Sequence, residues 1–500
     1  MAKRKLKIVH IASEVDPFSK TGGLADVSRS LAKAHKRLGH EVIVITPFYA
    51  QTIDQKKHQL KTIIENQKID TTYKIKYEAD YLEGELMPGL PIYFVKNDKF
   101  FSQRKSLYGS RHENVRFLFF DAAALELLKI LKFQPDIIHC HDWHTGLIPY
   151  FLKGRFKNDE FWHNTATVFT IHNLVFQLGH NWWTIKDTDR DDGRSGLPSI
   201  NNDQKIERIN FAKRAILNAD AINTVSETYR DEIMTKDFGE DLHRILKNRE
   251  NRVFGIINGI DYREYNPLTD PGIIQRYSYK SPERKKANKR WLQKHFKLKV
   301  DEDIPIICMT SRIAEQKGFK LLMEIIEPLL RTKIQIIIMG DGDKSMVSFF
   351  ETIHKKYPKR FVTIPFNQDQ ETSIYAGADI FLLPSRFEPC GINQMIALRY
   401  GCIPIVHHIG GLADTIENFK PEKPTGNGFH FRRYNSKDLL IAMIRCLENY
   451  HHKNVWSKLV TSGMKEANSW KIPAQKYIDL YKTATKLKAQ NNNNKSKKVN

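Results

Sequence analysis

The chain has 500 residues, 41% apolar and 11% aromatic, which excludes a disordered or fibrous protein and leaves room for roughly two to four domains. Its formal charge is +22, yet the lysines are spread along the whole length rather than gathered in one basic block, so nucleic acid is not expected as a partner. Five scattered cysteines (Cys140, Cys308, Cys390, Cys402, Cys446) without CxxC spacing argue against a disulfide framework, and the absence of an apolar run near ~20 residues argues against membrane insertion, so a cytoplasmic location is expected.

The first elements read as a βαβ opening. "LKIVHIA" (6–12) has the continuous apolar character of a buried parallel strand. "GLADVSRSLAKAHKRLG" follows as a helix with Leu24, Val27, Leu31, Ala34 and Leu38 on one face, and "HEVIVITP" reads as the next strand. Further strands are predicted in "PIYFV" (91–95), "PDIIHCH" (135–141), "TATVFTIHN" (165–173), "AINTVS" (221–226) and "VFGIING" (253–259), with a helix over 113–131. Residues 266–304 are charged and hold helices but no strand. A second αβ series follows: "IPIICMTSR", "IQIIIMGDG", "RFVTIPF", "DIFLLPSR" and "CIPIVHHIGG". The alternation predicts an α/β protein of two Rossmann-like domains. The expected boundaries are an N-terminal domain over 1–265, a linker region over 266–300, a C-terminal domain over 301–469, a closing helix over 470–487 and a disordered tail over 488–500.

Ligands of open α/β sheets sit at the carboxyl ends of the strands, so polar residues just after strands are the candidates. "KTGG" (20–23) precedes the first helix. It is neither GxGxxG nor a Walker loop, because the lysine comes first. Lys20, the glycines and the helix N-terminus would suit a diphosphate, and on four residues alone a plain glycine turn fits equally well. "HCHDWHTGL" (139–147) carries three histidines and an aspartate. The spacing suggests a metal, but no distant acidic or cysteine cluster matches it, and imidazoles with Trp143 also line sugar sites. His172 ends the next strand. Arg312 and Lys317 lie in a strand-to-helix turn, where they are either a diphosphate grip or surface charge. Glu388, followed by Cys390 and Gly391, stands after "FLLPSRF", and "HIGGLADTI" (408–416) repeats the opening GGLAD. "DTDRDDG" (187–193) fails the calcium-loop register and reads as an exposed acidic loop.

Taken together, "EVDPFSKTGGLADV", "HCHDWHTGL", "FTIHNL", "GIINGIDYREYNP", "TSRIAEQKG", "PSRFEPCGINQ" and "GGLADT" resemble the bacterial glycogen synthases and plant starch synthases, in order, over about residues 7–485. The resemblance implies the GT-B architecture: two Rossmann-like domains facing across a cleft, with the C-terminal helix crossing back to the N-terminal domain. It implies retaining transfer of glucose from ADP-glucose to the non-reducing end of an α-1,4-glucan such as glycogen, with no cofactor, metal, nucleic acid or membrane involved. The catalytic group it implies is Glu388, His172, Arg312 and Lys317. The substrate-binding group is Lys20, Gly22, Gly23, Asp26, Asp142, Trp143, His144, Asn173, Asn258, Cys390 and Gly391. A related transferase using UDP-glucose or another acceptor is the alternative. The sequence departs from the family at Val175-Phe176-Gln177-Leu178, where Ala-Tyr-Gln-Gly is usual. It also departs at Ile409 in place of threonine, and at His407-His408 in place of a basic pair.

Overall fold

The computed structural model describes residues 4–109 and 111–496. The chain divides into two compact units. One runs to Asn258 and resumes at Trp470; the other is Gly259–Ser469.

The first unit is built on a nine-stranded sheet: β1 (Lys7–Ile11), β2 (Glu41–Pro47), β3 (Lys61–Asp70), β4 (Lys76–Met87), β5 (Leu90–Lys96), β6 (Ile137–His141), β7 (Ala166–Ile171), β8 (Ala221–Thr224) and β9 (Val253–Gly255). Their spatial order is β3-β4-β5-β2-β1-β6-β7-β8-β9. From β5 to β9 all pairs are parallel, while β3 and β4 add an antiparallel hairpin at one edge. The chain starts at β1, steps to β2, jumps to the edge at β3 and returns through β4 to β5 beside β2, then crosses to β6 and works outward the other way. The order therefore reverses between β1 and β6, which makes a topological switch point at their carboxyl ends. The helix Glu113–Ile130 is buried along nearly its whole length, and its Arg116 and Glu113 form an ion pair that is 0% and 2% exposed.

The second unit repeats the plan with six parallel strands: β10 (Ile306–Thr310), β11 (Gln335–Met339), β12 (Phe361–Ile364), β13 (Ile380–Leu383), β14 (Ile403–His407) and β15 (Phe429–Phe431), ordered β12-β11-β10-β13-β14-β15. Its switch point lies between β10 and β13, the reversal of a dinucleotide-binding sheet.

Three expectations need amendment. Residues 266–300, expected as a linker region, belong to the body of the second unit. Lys285 Nζ donates to the carbonyls of Tyr375, Ala376 and Tyr400 at 2.7, 2.8 and 3.1 Å, and Lys289 pairs with Asp379 at 2.8 Å. These two lysines are buried, so the charge that reads as solvated linker instead caps carbonyls inside the fold. The tail expected to be disordered from 488 continues the helix Lys471–Ser496, and Asn491 accepts from Arg252 Nη2 at 3.1 Å; residues 497–500 lie outside the described residues. Within the acidic loop, Asp191 is not exposed. It takes two hydrogen bonds from the fully buried Arg214, at 2.9 and 2.7 Å. Among the described residues no helix is long and apolar enough to cross a membrane.

Candidate active site

The switch point of the first sheet collects the loops that leave β1 and β6. After β1 the buried Glu14 accepts the Thr21 main-chain N–H at 2.6 Å and the Thr21 hydroxyl at 2.8 Å, which pins the KTGG loop over the strand end. Burial pushes the Glu14 carboxyl up to about 7 against the pull of those bonds. Lys20 Nζ pairs with Asp26 at 2.8 Å, one turn into the helix Gly23–Arg37, whose first N–H groups carry the positive end of the helix dipole. Gly22 is exposed, with an extended φ of −164°, and a Cβ added there would meet nothing within 4 Å.

After β6, Asp142 stands at φ +62°, a region that non-glycine residues enter at a cost. Its N–H donates to the Thr170 carbonyl at 2.9 Å, and its carboxylate takes the main-chain N–H groups of His172, Trp143 and Asn173. Asp142 thus ties the end of β6 to the end of β7 and holds the His172–Asn173 peptide in place. Burial outweighs these bonds and pushes its carboxyl up to about 8. Trp143, expected as a stacking face, is 4% exposed and packs on His144, Phe117 and Phe211. His144 Nδ1 and Asn258 Oδ1 are buried without a hydrogen-bond partner among the described residues. Each such orphan costs about 1–3 kcal/mol, the kind of expense that functional sites carry. Asn173 Oδ1 accepts from the Val175 N–H at 3.2 Å.

His10, His139 and His141 bring ring nitrogens within 4.8 Å of one another. Those nitrogens are already engaged. His139 meets Tyr481 at 2.8 Å and Thr170 at 2.6 Å, while His141 meets His10 at 3.0 Å and His172 at 3.1 Å. His10 uses its other nitrogen on His35 at 3.1 Å. A metal would have to replace these bonds.

The second unit sets charged residues at its own switch point. Arg312 and Lys317 follow β10, and Ser385 and Glu388 follow β13. Lys317 Nζ lies 2.6 Å from Glu388 Oε2, which also accepts from the Ser385 hydroxyl at 2.9 Å. Gly318 makes this meeting possible. At φ +76° it lets the turn close on the Pro384 carbonyl, which a Cβ would strike at 2.0 Å. Arg312 is exposed and has no ion-pair partner among the described residues. Cys390 is buried, and Gly391, at φ +69°, has its carbonyl held by Gln394 Nε2 at 2.8 Å. His407 sits beneath the Glu388 loop, with one ring nitrogen 2.8 Å from the Ser385 carbonyl and the other 3.1 Å from that of Arg432.

Sequence reasoning overlooked Glu14, although it follows a strand end just as Glu388 does. It also overlooked Phe366, which follows β12 and is 48% exposed beside an open groove of about 610 Å³ lined by His295, Asn367 and Gln370 among others.

Residues 7–248 match the starch synthase catalytic domain and residues 292–460 match glycosyl transferases group 1. A glycogen synthase from Geotalea daltonii is 40% identical over 95% of this chain and 98% of its own length. One from Thermosipho melanesiensis is 41% identical over 96% and 99%. Among solved structures, the catalytic domain of starch synthase IV from Arabidopsis thaliana, bound to ADP and acarbose, superposes with a TM-score of 0.84 at 31% identity, covering 97% of this chain and all of that one. This likeness and the two largely parallel sheets give the fold as GT-B. The chain belongs to the glycogen synthase and starch synthase family of glycosyltransferases.

Proposed function

We propose that the protein transfers glucose from ADP-glucose to the non-reducing 4-hydroxyl of an α-1,4-glucan, releasing ADP with retention at the anomeric carbon. The observation that carries this is the Lys317–Glu388–Ser385 cluster at the switch point of the second sheet, with Arg312 exposed beside it. Two cations at a strand-to-helix turn match a diphosphate leaving group, whose negative charge grows as the glycosidic bond breaks. In the first unit, Lys20, Gly22 and Gly23 offer a cation and open main-chain N–H groups suited to a phosphate. Gly22 supports this, because the chain itself has no steric need of a glycine there. The groove beside Phe366 suits the nucleotide base, with an exposed ring to stack on and side-chain amides at its edge.

Glu388 is engaged by Lys317 and Ser385, so its role is electrostatic rather than nucleophilic. It balances the cation and steadies positive charge developing at the sugar. The acceptor hydroxyl attacks from the face the diphosphate leaves, and a phosphate oxygen takes its proton. His172 and Asn258 position the transferred glucose. Asp142 holds the His172–Asn173 peptide, Trp143 and His144 back the acceptor side, and Cys390 and Gly391 present main-chain groups to the sugar hydroxyls. The cation pair and the ion-paired carboxylate supply the charge stabilisation without a cofactor.

The test is a donor comparison with glycogen as acceptor. Labelled ADP-glucose is expected to be incorporated faster than UDP-glucose. A large preference for UDP-glucose would overturn the donor, and glycogen binding without ADP release would overturn the activity.

A further inference from the structure

The four histidines His172, His141, His10 and His35 form one head-to-tail chain. His172 Nε2 meets His141 Nδ1 at 3.1 Å, His141 Nε2 meets His10 Nδ1 at 3.0 Å, and His10 Nε2 meets His35 Nδ1 at 3.1 Å. The rings come from the ends or bodies of β7, β6 and β1 and from the helix Gly23–Arg37, all in the first unit. His10, His35 and His141 are fully buried. A neutral imidazole has one donor and one acceptor nitrogen, and each contact joins an Nδ1 to an Nε2. The neutral chain therefore has two fully hydrogen-bonded states: every ring protonated on Nε2, or every ring protonated on Nδ1. One end decides for all four.

The far end is His35 Nε2. It is buried without a hydrogen bond of ordinary geometry; because Nδ1 already meets His10, the Ala474 main-chain acceptor on the C-terminal helix that favours a proton on this ring falls to Nε2. A carbonyl oxygen only accepts. An unprotonated nitrogen there would set lone pair against lone pair, whereas an N–H finds its acceptor. We propose that His35, His10 and His141 are positioning residues that lock His172 in its Nε2–H tautomer, leaving His172 Nδ1 as a lone-pair acceptor for a substrate hydroxyl. Among the described residues nothing donates to His172 Nδ1. Burial keeps the array neutral, with His10 and His172 both held down to about 3 and His35 and His141 well below their usual value. His139 lies beside the array, with ring centroids 4.0 Å from His141, but spends its nitrogens on Tyr481 and Thr170. The array thus reaches from the C-terminal helix to the end of β7, and it sets the polarity of a ring whose own neighbours do not.

The substrate half of this inference rests on the function proposed above; the tautomer does not. Neutron diffraction from deuterium-exchanged full-length protein without ligand reads it directly. Deuterium is expected on Nε2 of all four rings and absent from Nδ1. Deuterium on Nδ1 of His172 would overturn the lock, whatever the donor proves to be. Two variants extend the test. Gln at 35 can accept from His10 and donate to Ala474, so His35→Gln is expected to keep the ¹⁵Nδ1 resonance of His172 in its unprotonated position and to keep turnover. His35→Leu removes the terminal polarity. It is expected to move that resonance toward the protonated position and to lower kcat/KM about 3- to 10-fold, the worth of one hydrogen bond to a neutral group. A folded His35→Leu protein with an unchanged His172 resonance would overturn the proposal, and so would loss of the unprotonated resonance in His35→Gln.

Discussion

The same five letters, GGLAD, open a helix in each unit, and they do different work. In the first unit Gly22 is extended and exposed, and a Cβ there would touch nothing within 4 Å. In the second, Gly410 has φ +46° and Gly411 is buried, where a Cβ would lie 2.1 Å from the Cys390 carbonyl. Gly411 N–H also donates to the Glu388 carbonyl at 3.1 Å. Gly22 leaves space open at a helix N-terminus. The second unit's pair fills space so that the Glu388 loop can lie against the strand ends. Repetition of a motif in two Rossmann-like units therefore does not carry a role with it; the two copies differ in which neighbour needs the missing side chain.

The lysines of the two switch points extend this contrast and give the largest expected effect. Lys317 and Glu388 are 18% and 10% exposed, whereas Lys20 and Asp26 are 31% and 22% exposed. A charge in the drier site acts with less screening. Lys317→Ala is expected to lower the glucan-elongation kcat on the order of 10²–10³-fold with little change in Tm. Lys20→Ala is expected to cost closer to about 10-fold. Equal losses, measured with ADP-glucose and glycogen, would erase the contrast between the two lysines.

Gly411→Ala comes next. Its Cβ meets main chain rather than the end of a flexible side chain, so the Cys390 segment must move. Overpacking of this kind costs about 1–3 kcal/mol, and the Glu388 carbonyl would lose its donor as well. A Tm several degrees lower, together with reduced turnover, is expected. An unchanged Tm would mean that this loop is softer than its packing implies.

Glu14 sharpens the first unit's side of the comparison through pH. Burial holds its carboxyl up to about 7, from 4.5 in the unfolded chain, so between those values the folded state binds more protons than the unfolded one. Its contribution is present below about pH 4.5 and is lost as pH rises through 7. Glu14→Gln cannot ionise, so wild type should lose stability relative to the variant across this window, by at most about 3 kcal/mol. Parallel stability curves from pH 4 to 8 would contradict the burial argument.

Much of the architecture was legible because a buried parallel strand and the polar residue after it are both visible in one sequence. That rule singled out Arg312, Lys317, Glu388, Asp142 and His172 as candidates, and applied once more it would have singled out Glu14. The β3–β4 hairpin was not legible, since "KTIIENQKID" is mostly solvent-facing and shows little of the alternation that marks a half-buried strand. Nor was the histidine array. Its contacts join residues 25, 131 and 31 apart, and a sequence shows His10 and His35 as isolated ring residues. The buried lysines 285 and 289 misled for a related reason: a lysine that caps carbonyls and one that faces water look the same in a sequence.

Gly22→Ala is the smallest perturbation and the cleanest way to separate the two glycine pairs. The φ of −164° is ordinary extended backbone, and nothing in the protein lies where the methyl group would go, so stability should shift by no more than about 0.5 kcal/mol. If the open N–H groups beside it receive the diphosphate, the methyl group meets the ligand instead of the protein. The KM for ADP-glucose should then rise several-fold while Tm stays fixed. Gly411→Ala should do the reverse, lowering Tm first. A Gly22→Ala protein that keeps both its Tm and its KM would show that the first GGLAD is only a turn.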